Sequence, residues 1–222
     1  MTDTTEITLW DLPTRLFHWG LVGAIAVCWV SGELLDDAMT LHIWAGYCAL
    51  ALLLFRVLWG FFGSETARFS QFVTSPPQVA AYVRTLLQRK PGTHAGHNPL
   101  GGWSVLVLLA LSLTVAVSGL FSNDEVSTWG PLAHRITPDL SDRLSDMHGI
   151  AFNILAGVIA LHVLAVLFYR LYKRDNLILP MITGRKPVSA AVPRPALASN
   201  GRALLLFTVA AAAVALLPLL AG

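Results

Sequence analysis

Four histidines stand in or at the start of long apolar runs, at positions 18, 42, 148 and 162. An imidazole is both a metal ligand and a hydrogen-bonding group, and in hydrocarbon it needs a partner of one kind or the other. His148 and His162 share one stretch, Asp146 to Lys173, and are fourteen positions apart by subtraction. At ~1.5 Å and ~100° per residue, that interval separates them by about 21 Å along a helix and leaves them on one face. Such a helix offers one imidazole toward each surface of a hydrocarbon core about 30 Å thick. A bland reading stays open, in which each ring merely bonds a serine or a carbonyl of a neighbouring helix.

The elements that must position these rings are membrane spans. The chain has 222 residues, 55% hydrophobic and only 13% charged, with a positive mean hydropathy. Apolar runs centred on residues 16–35, 41–62, 103–121, 150–171 and 203–221 each approach the ~20 residues a spanning helix needs. An all-α integral membrane protein is expected, in contact with lipid and with no nucleic-acid partner. Asp3, Glu6 and Asp11 precede the first run and no small-residue cleavage pattern follows it, so it reads as a retained span. Cys28 and Cys48 lie within spans and form no CxxCH, which makes packing their expected role.

Loop charges set the topology. The Glu33–Thr40 connection is acidic, as is the one from Ser122 to Asp146, whereas residues 63–100 and the segment after Lys173 are rich in arginine and lysine. The positive-inside rule then places the N-terminus in the cytoplasm and the end of the fifth span outside. Asp11 is a candidate N-cap with Pro13 in the first turn, and Ser75-Pro76-Pro77 starts a short amphipathic surface helix. Gly46 and Gly60, on one face of the second helix, leave room for a flat ligand or another backbone. Arg56 sits on the same face as His42, at the opposite surface; it either snorkels to headgroups or pairs with an acidic cofactor group. His94 and His97 are weak evidence for a metal site, and His134 reads as solvated.

With this topology the helix histidines form two pairs, His18 with His162 toward the cytoplasm and His42 with His148 toward the outside. Two imidazoles at one depth on facing helices can ligate a haem iron axially, leaving no site open to oxygen, which favours electron transfer. Copper and zinc fit less well, because each pair lacks the further protein ligands they require.

The opening WDLPTRLFHW, the LHIWAGY with its later Arg56, the GHNPLGGW segment and the MHG with His162 downstream resemble the bacterial cytochrome b561 family. That family includes the cytochrome b subunits of nickel-iron hydrogenases and the membrane subunits of formate dehydrogenases. The resemblance, over roughly residues 8–175, implies a four-helix bundle with two b-type haems ligated by His18, His42, His148 and His162. It also implies exchange with a quinone, ubiquinone or menaquinone, near the cytoplasmic haem, with Asn98 and the surroundings of His162 as candidate contacts.

The expected protein is an inner-membrane di-haem cytochrome b passing electrons between the quinone pool and a periplasmic cytochrome c, hydrogenase or dehydrogenase subunit. Residues 1–175 form the bundle, 176–200 a cytoplasmic linker and 201–222 an added span. A stand-alone oxidoreductase that takes electrons from superoxide and a haem-free membrane anchor are the alternatives.

Overall fold

The computed structural model describes residues 4–88, 96–124, 128–190 and 192–220; Asp3, Arg89, Lys90, His94 and Glu125, used in the sequence readings, lie outside them. The chain begins with a short strand, β1 (Thr4–Thr8), and enters α1 (Leu12–Glu33) through Asp11. The Asp11 carboxylate accepts from the Thr14 N–H at 2.7 Å, which satisfies one of the donors a helix start leaves open. Its other oxygen accepts from Trp59 Nε1 at 3.1 Å and so ties α1 to α2 (Met39–Phe62).

A short helix α3 (Phe69–Phe72) and the surface helix α4 (Pro76–Arg84) lead to α5 (Pro99–Gly119). At the start of α4, the Gln78 side chain accepts from the Ser75 N–H at 3.1 Å, so the expected Ser-Pro-Pro start is realised. Helix α6 (Pro138–Leu171) has 34 residues, about 51 Å at ~1.5 Å per residue, and is long enough to project beyond the hydrocarbon. Among the described residues, five helices are long and apolar enough to cross a membrane; the last spans Asn200–Leu219 and includes α8 (Asn200–Ala215).

The packing leaves a gap where the histidines point. α1 packs on α2 and α5 on α6, with α2 touching α5 and α8. Phe55, Trp59, Ala203 and Ala210 form the principal apolar core, between α2 and α8. α1 and α6 are joined chiefly at the basic end of the bundle. There the chain beyond α6 forms α7 (Ile178–Thr183) and β2 (Arg185–Ser189), inside the stretch expected to be a plain linker. β2 pairs antiparallel with β1, Thr8 opposite Arg185, so a two-stranded ribbon supplements the expected all-helical architecture.

This return strap clasps α1. Arg15 donates to the Ile182 carbonyl at 2.6 Å and Trp19 to that of Met181 at 3.1 Å. A Lys186–Asp175 ion pair of 3.1 Å, its side chains 12% exposed, holds the strap to the end of α6.

Gly184 makes the turn at φ 84°, where a Cβ would stand 2.7 Å from the Trp10 carbonyl oxygen. Gly184→Ala should destabilise the protein by about 1–2 kcal/mol from left-handed strain alone, read as a lower thermal unfolding midpoint in detergent. Gly201→Ala, where nothing lies within reach of a Cβ, should leave the midpoint unchanged.

Candidate functional site

His42 opens α2 and His148 lies in the first third of α6, both at the acidic end. Their ring centres are 6.1 Å apart with planes crossing at 69°. His42 Nδ1 lies 2.9 Å from the Cys28 carbonyl of α1, and His148 Nδ1 lies 2.9 Å from the Val115 carbonyl of α5. A carbonyl only accepts, so each Nδ1 carries the proton and each Nε2 keeps its lone pair. A neighbouring-helix carbonyl thus fixes the tautomer of each ring, as outer partners do for metal-bound histidines. The sequence left ligation and helix bonding as alternatives, but these rings do the second at Nδ1 and keep Nε2 for the first.

The spacing fits one metal between them. An imidazole nitrogen stands ~2.0–2.1 Å from a bound metal and the ring centre about 1 Å behind it, so two rings on one ion have centres about 6 Å apart. Space for both is provided by glycine. A Cβ on Gly32 would lie 2.9 Å from His42 Nδ1, and one on Gly119 would lie 2.9 Å from His148 Cε1. The rings border a cavity of about 300 Å³, largely apolar in its lining, with Gly46 and Gly149 along it. A Cβ at either glycine would meet nothing within 4 Å, which leaves open walls suited to a flat group. Glu33, Ser122, Asn123 and Asp124 also line this cavity.

The second pair is at the basic end. His18 lies in the first third of α1 and His162 in the last third of α6, both toward that end. His18 Nδ1 is buried without a hydrogen-bond partner, unlike the anchored rings of the other pair. Among the described residues no group of three or more His, Cys, Asp or Glu could hold a metal ion, so each pair would rely on a macrocycle for its remaining ligands.

Arg56 is 4% exposed. Its guanidinium carbon lies 5.1 Å from the Phe69 ring centre, 5.9 Å from that of Phe72 and 6.0 Å from that of Phe17, and Nη1 has no partner. Of its two sequence readings, this burial favours pairing over snorkelling. Gly60 of the same helix is closed by the Phe69 ring, so of the two glycines expected to admit a ligand only Gly46 faces open space.

Asn98 is engaged at both ends of its amide. Its carbonyl oxygen accepts from the Gly101 N–H at 2.8 Å and caps α5, while Nδ2 donates to the Tyr169 hydroxyl at 3.0 Å. That hydroxyl is 2.6 Å from the hydroxyl of Tyr82 on α4.

His97 is the residue sequence reasoning undervalued. Its ring sits 4.7 Å from that of Trp10 and 4.6 Å from that of Phe72, and its buried Nδ1 has no partner. Burial, and then the charges of Arg56 and His162, push its pKa down to about 3, so it is a neutral imidazole at pH 7. The available signal was its place one residue before the α5 cap, which fixes it against the bundle. His134 is exposed in a 3-10 turn, as expected.

A model of the prokaryotic cytochrome b561 family matches residues 9–184. The chain is 24% identical over 213 residues to the probable Ni/Fe-hydrogenase B-type cytochrome subunit of Azotobacter chroococcum mcd 1, covering 81% of this chain and 88% of that protein. It is 22% identical over 216 residues to the protein of the same name from Rhizobium leguminosarum bv. viciae, covering 82% and 89%. No solved structure matches.

Gly119→Val should displace the His148 ring and lower the haem bound per chain, measured as a pyridine haemochrome. The same change at Gly23, where a Cβ would meet nothing within 4 Å, should leave haem content as in wild type.

Proposed function

The chain belongs to the prokaryotic cytochrome b561 family, a multi-pass membrane cytochrome of electron transfer, and on that premise we propose that it conducts electrons across the bacterial inner membrane between quinone and a periplasmic redox partner. The observation that carries this reading is the His42/His148 pair, with both Nδ1 atoms spent on carbonyls and ring centres 6.1 Å apart. Two b-type haems would supply one-electron carriers across the span. His42 and His148 would hold one at the acidic, periplasmic end, and His18 and His162 would hold the other at the basic, cytoplasmic end.

The remaining residues bind and orient. Arg56 supplies a buried countercharge at the basic end. Asn98 keeps one Nδ2 hydrogen beyond its bond to Tyr169, which supports it as the donor to a quinone carbonyl. Residues 1–175 make the electron-transferring bundle, 176–200 the strap-bearing linker and 201–222 an added span.

The partner is approached through the acidic rim. Glu33 and Asp124 line the cavity beside His42 and His148, and such a rim steers a basic protein face toward it. The names of the relatives point to a hydrogenase subunit, and a basic cytochrome c has the same electrostatic complement. An anionic donor such as superoxide would be repelled by this rim, which ranks the stand-alone oxidoreductase lower. A haem-free anchor would have no use for two free Nε2 lone pairs facing a cavity.

A reduced-minus-oxidised spectrum with haem counted per chain tests the reading. Two haems b are expected in wild type, one in His148→Ala and one in His162→Ala; a colourless wild type, expressed with adequate haem, would sink it. Asn98→Ser, which retains a capping oxygen, should keep both haems and slow quinone-linked turnover roughly tenfold, the worth of about one hydrogen bond. Unchanged turnover would remove Asn98 from the quinone site.

A further inference from the structure

The buried polar atoms left without partners gather at one end of the molecule. Among the described residues they are Thr14 Oγ1, Arg15 Nε, His18 Nδ1, Arg56 Nη1, Arg68 Nε, Thr74 Oγ1 and His97 Nδ1, and all lie in segments at the basic end. Each can donate a hydrogen bond and none is a carboxylate oxygen. The acids nearby are occupied. Asp11 accepts from Thr14 and Trp59, Glu65 from the Ala196 N–H at 2.8 Å, and Asp175 pairs with Lys186. This end therefore holds a surplus of buried donors and, among the described residues, two buried cations, Arg56 and Lys173, a set complementary to an anion with oxygen acceptors.

Two of these donors share a wall. The Phe72 ring lies 4.6 Å from the His97 ring and 5.9 Å from the Arg56 guanidinium carbon, and the charge of Arg56 reaches His97. The charge of His162 reaches His97 as well, and the Arg56 guanidinium carbon lies 6.0 Å from the ring centre of Phe17, the chain neighbour of His18. We propose that Arg56 and His97 together clamp one carboxylate, a propionate of the haem held by His18 and His162, with Arg56 as the countercharge and His97 Nδ1–H as a neutral donor. The inference rests on the haem reading above and adds His97 to it. The aromatic walls exclude water, which strengthens both contacts and makes the loss of either one felt at the iron.

Potentiometric titration of wild type, Arg56→Gln, His97→Leu and His97→Gln, followed in the optical band that His162→Ala abolishes, tests the clamp. A carboxylate stripped of its partners favours ferric iron. In Arg56→Gln and His97→Leu the basic-end haem should therefore become at least tenfold harder to reduce at fixed potential, a fall of about 59 mV for one electron. His97→Gln, which keeps an N–H donor, should fall less. The other haem should keep its wild-type potential in all variants, which also reports an intact fold.

Wild type and His97→Leu reconstituted with protohaem dimethyl ester, whose propionates are blocked, should titrate alike. A difference that persists with the ester would assign the anion to a lipid phosphate or a bulk ion and overturn the clamp. Equal basic-end potentials in wild type, Arg56→Gln and His97→Leu, with both haems present, would overturn the clamp alone. A haem-free wild type would overturn the underlying reading.

Discussion

A hydrogen-bonding group in hydrocarbon must find its partner inside the protein, because no water is there to supply one. Most of the polar side chains in the spans obey this by local means. Ser31 donates to the Val27 carbonyl at 2.6 Å and Ser118 to that of Thr114 at 2.7 Å, each within its own helix. Asp11 is the bridging case, since one carboxylate satisfies the start of α1 and the indole of Trp59 on α2. Against this background, the groups that keep free capacity mark the site: two Nε2 lone pairs at the acidic end and a set of unspent donors at the basic end.

The two ends are built differently around their histidine pairs. At the acidic end, helices that carry no histidine at that level do the orienting: the α5 carbonyl of Val115 serves His148, and the α1 carbonyl of Cys28 serves His42. α5, which carries no histidine, thus fixes one of the rings. Loop contacts hold it to α6, with Ser141 donating to the Phe121 carbonyl at 2.7 Å and the Asn123 N–H to Ser145 at 2.9 Å. At the basic end the spacing of α1 and α6 falls to the strap, which reaches from the end of α6 back to Arg15 and Trp19, within one turn of His18.

The features legible in the sequence were those set by local chemistry or by periodicity. Asp11 with Pro13 read as a helix start because capping involves neighbours in the chain. His148 and His162 read as a pair because a helix converts spacing into direction. The β1–β2 ribbon was not legible, since it joins segments nearly the whole chain apart, and neither Thr4–Thr8 nor Arg185–Ser189 shows a strong apolar alternation. Gly60 illustrates the same limit: its helical face was right, but which group would fill it depended on Phe69 folding back from the next segment. His97 was hidden because its neighbours Trp10 and Phe72 come from two other elements.

The fifth span shows why an added helix need not disturb such a site. α2 is the most buried of the five spans, and it uses two faces. His42, Gly46, Ala49 and Leu53 line the cavity, while Leu50, Ala51, Phe55 and Trp59 pack in the clusters that take in α8 through Val214, Ala203 and Ala210. Residues 9–184 carry the family match, and α8, beyond it in the chain, packs on the α2 face that carries Leu50, Ala51, Phe55 and Trp59. Burying that face restrains α2 without contributing a ligand. It also withdraws more of α2 from lipid, beside what α1 and α5 cover, leaving α6, most of whose residues are exposed, as a free flank of the bundle.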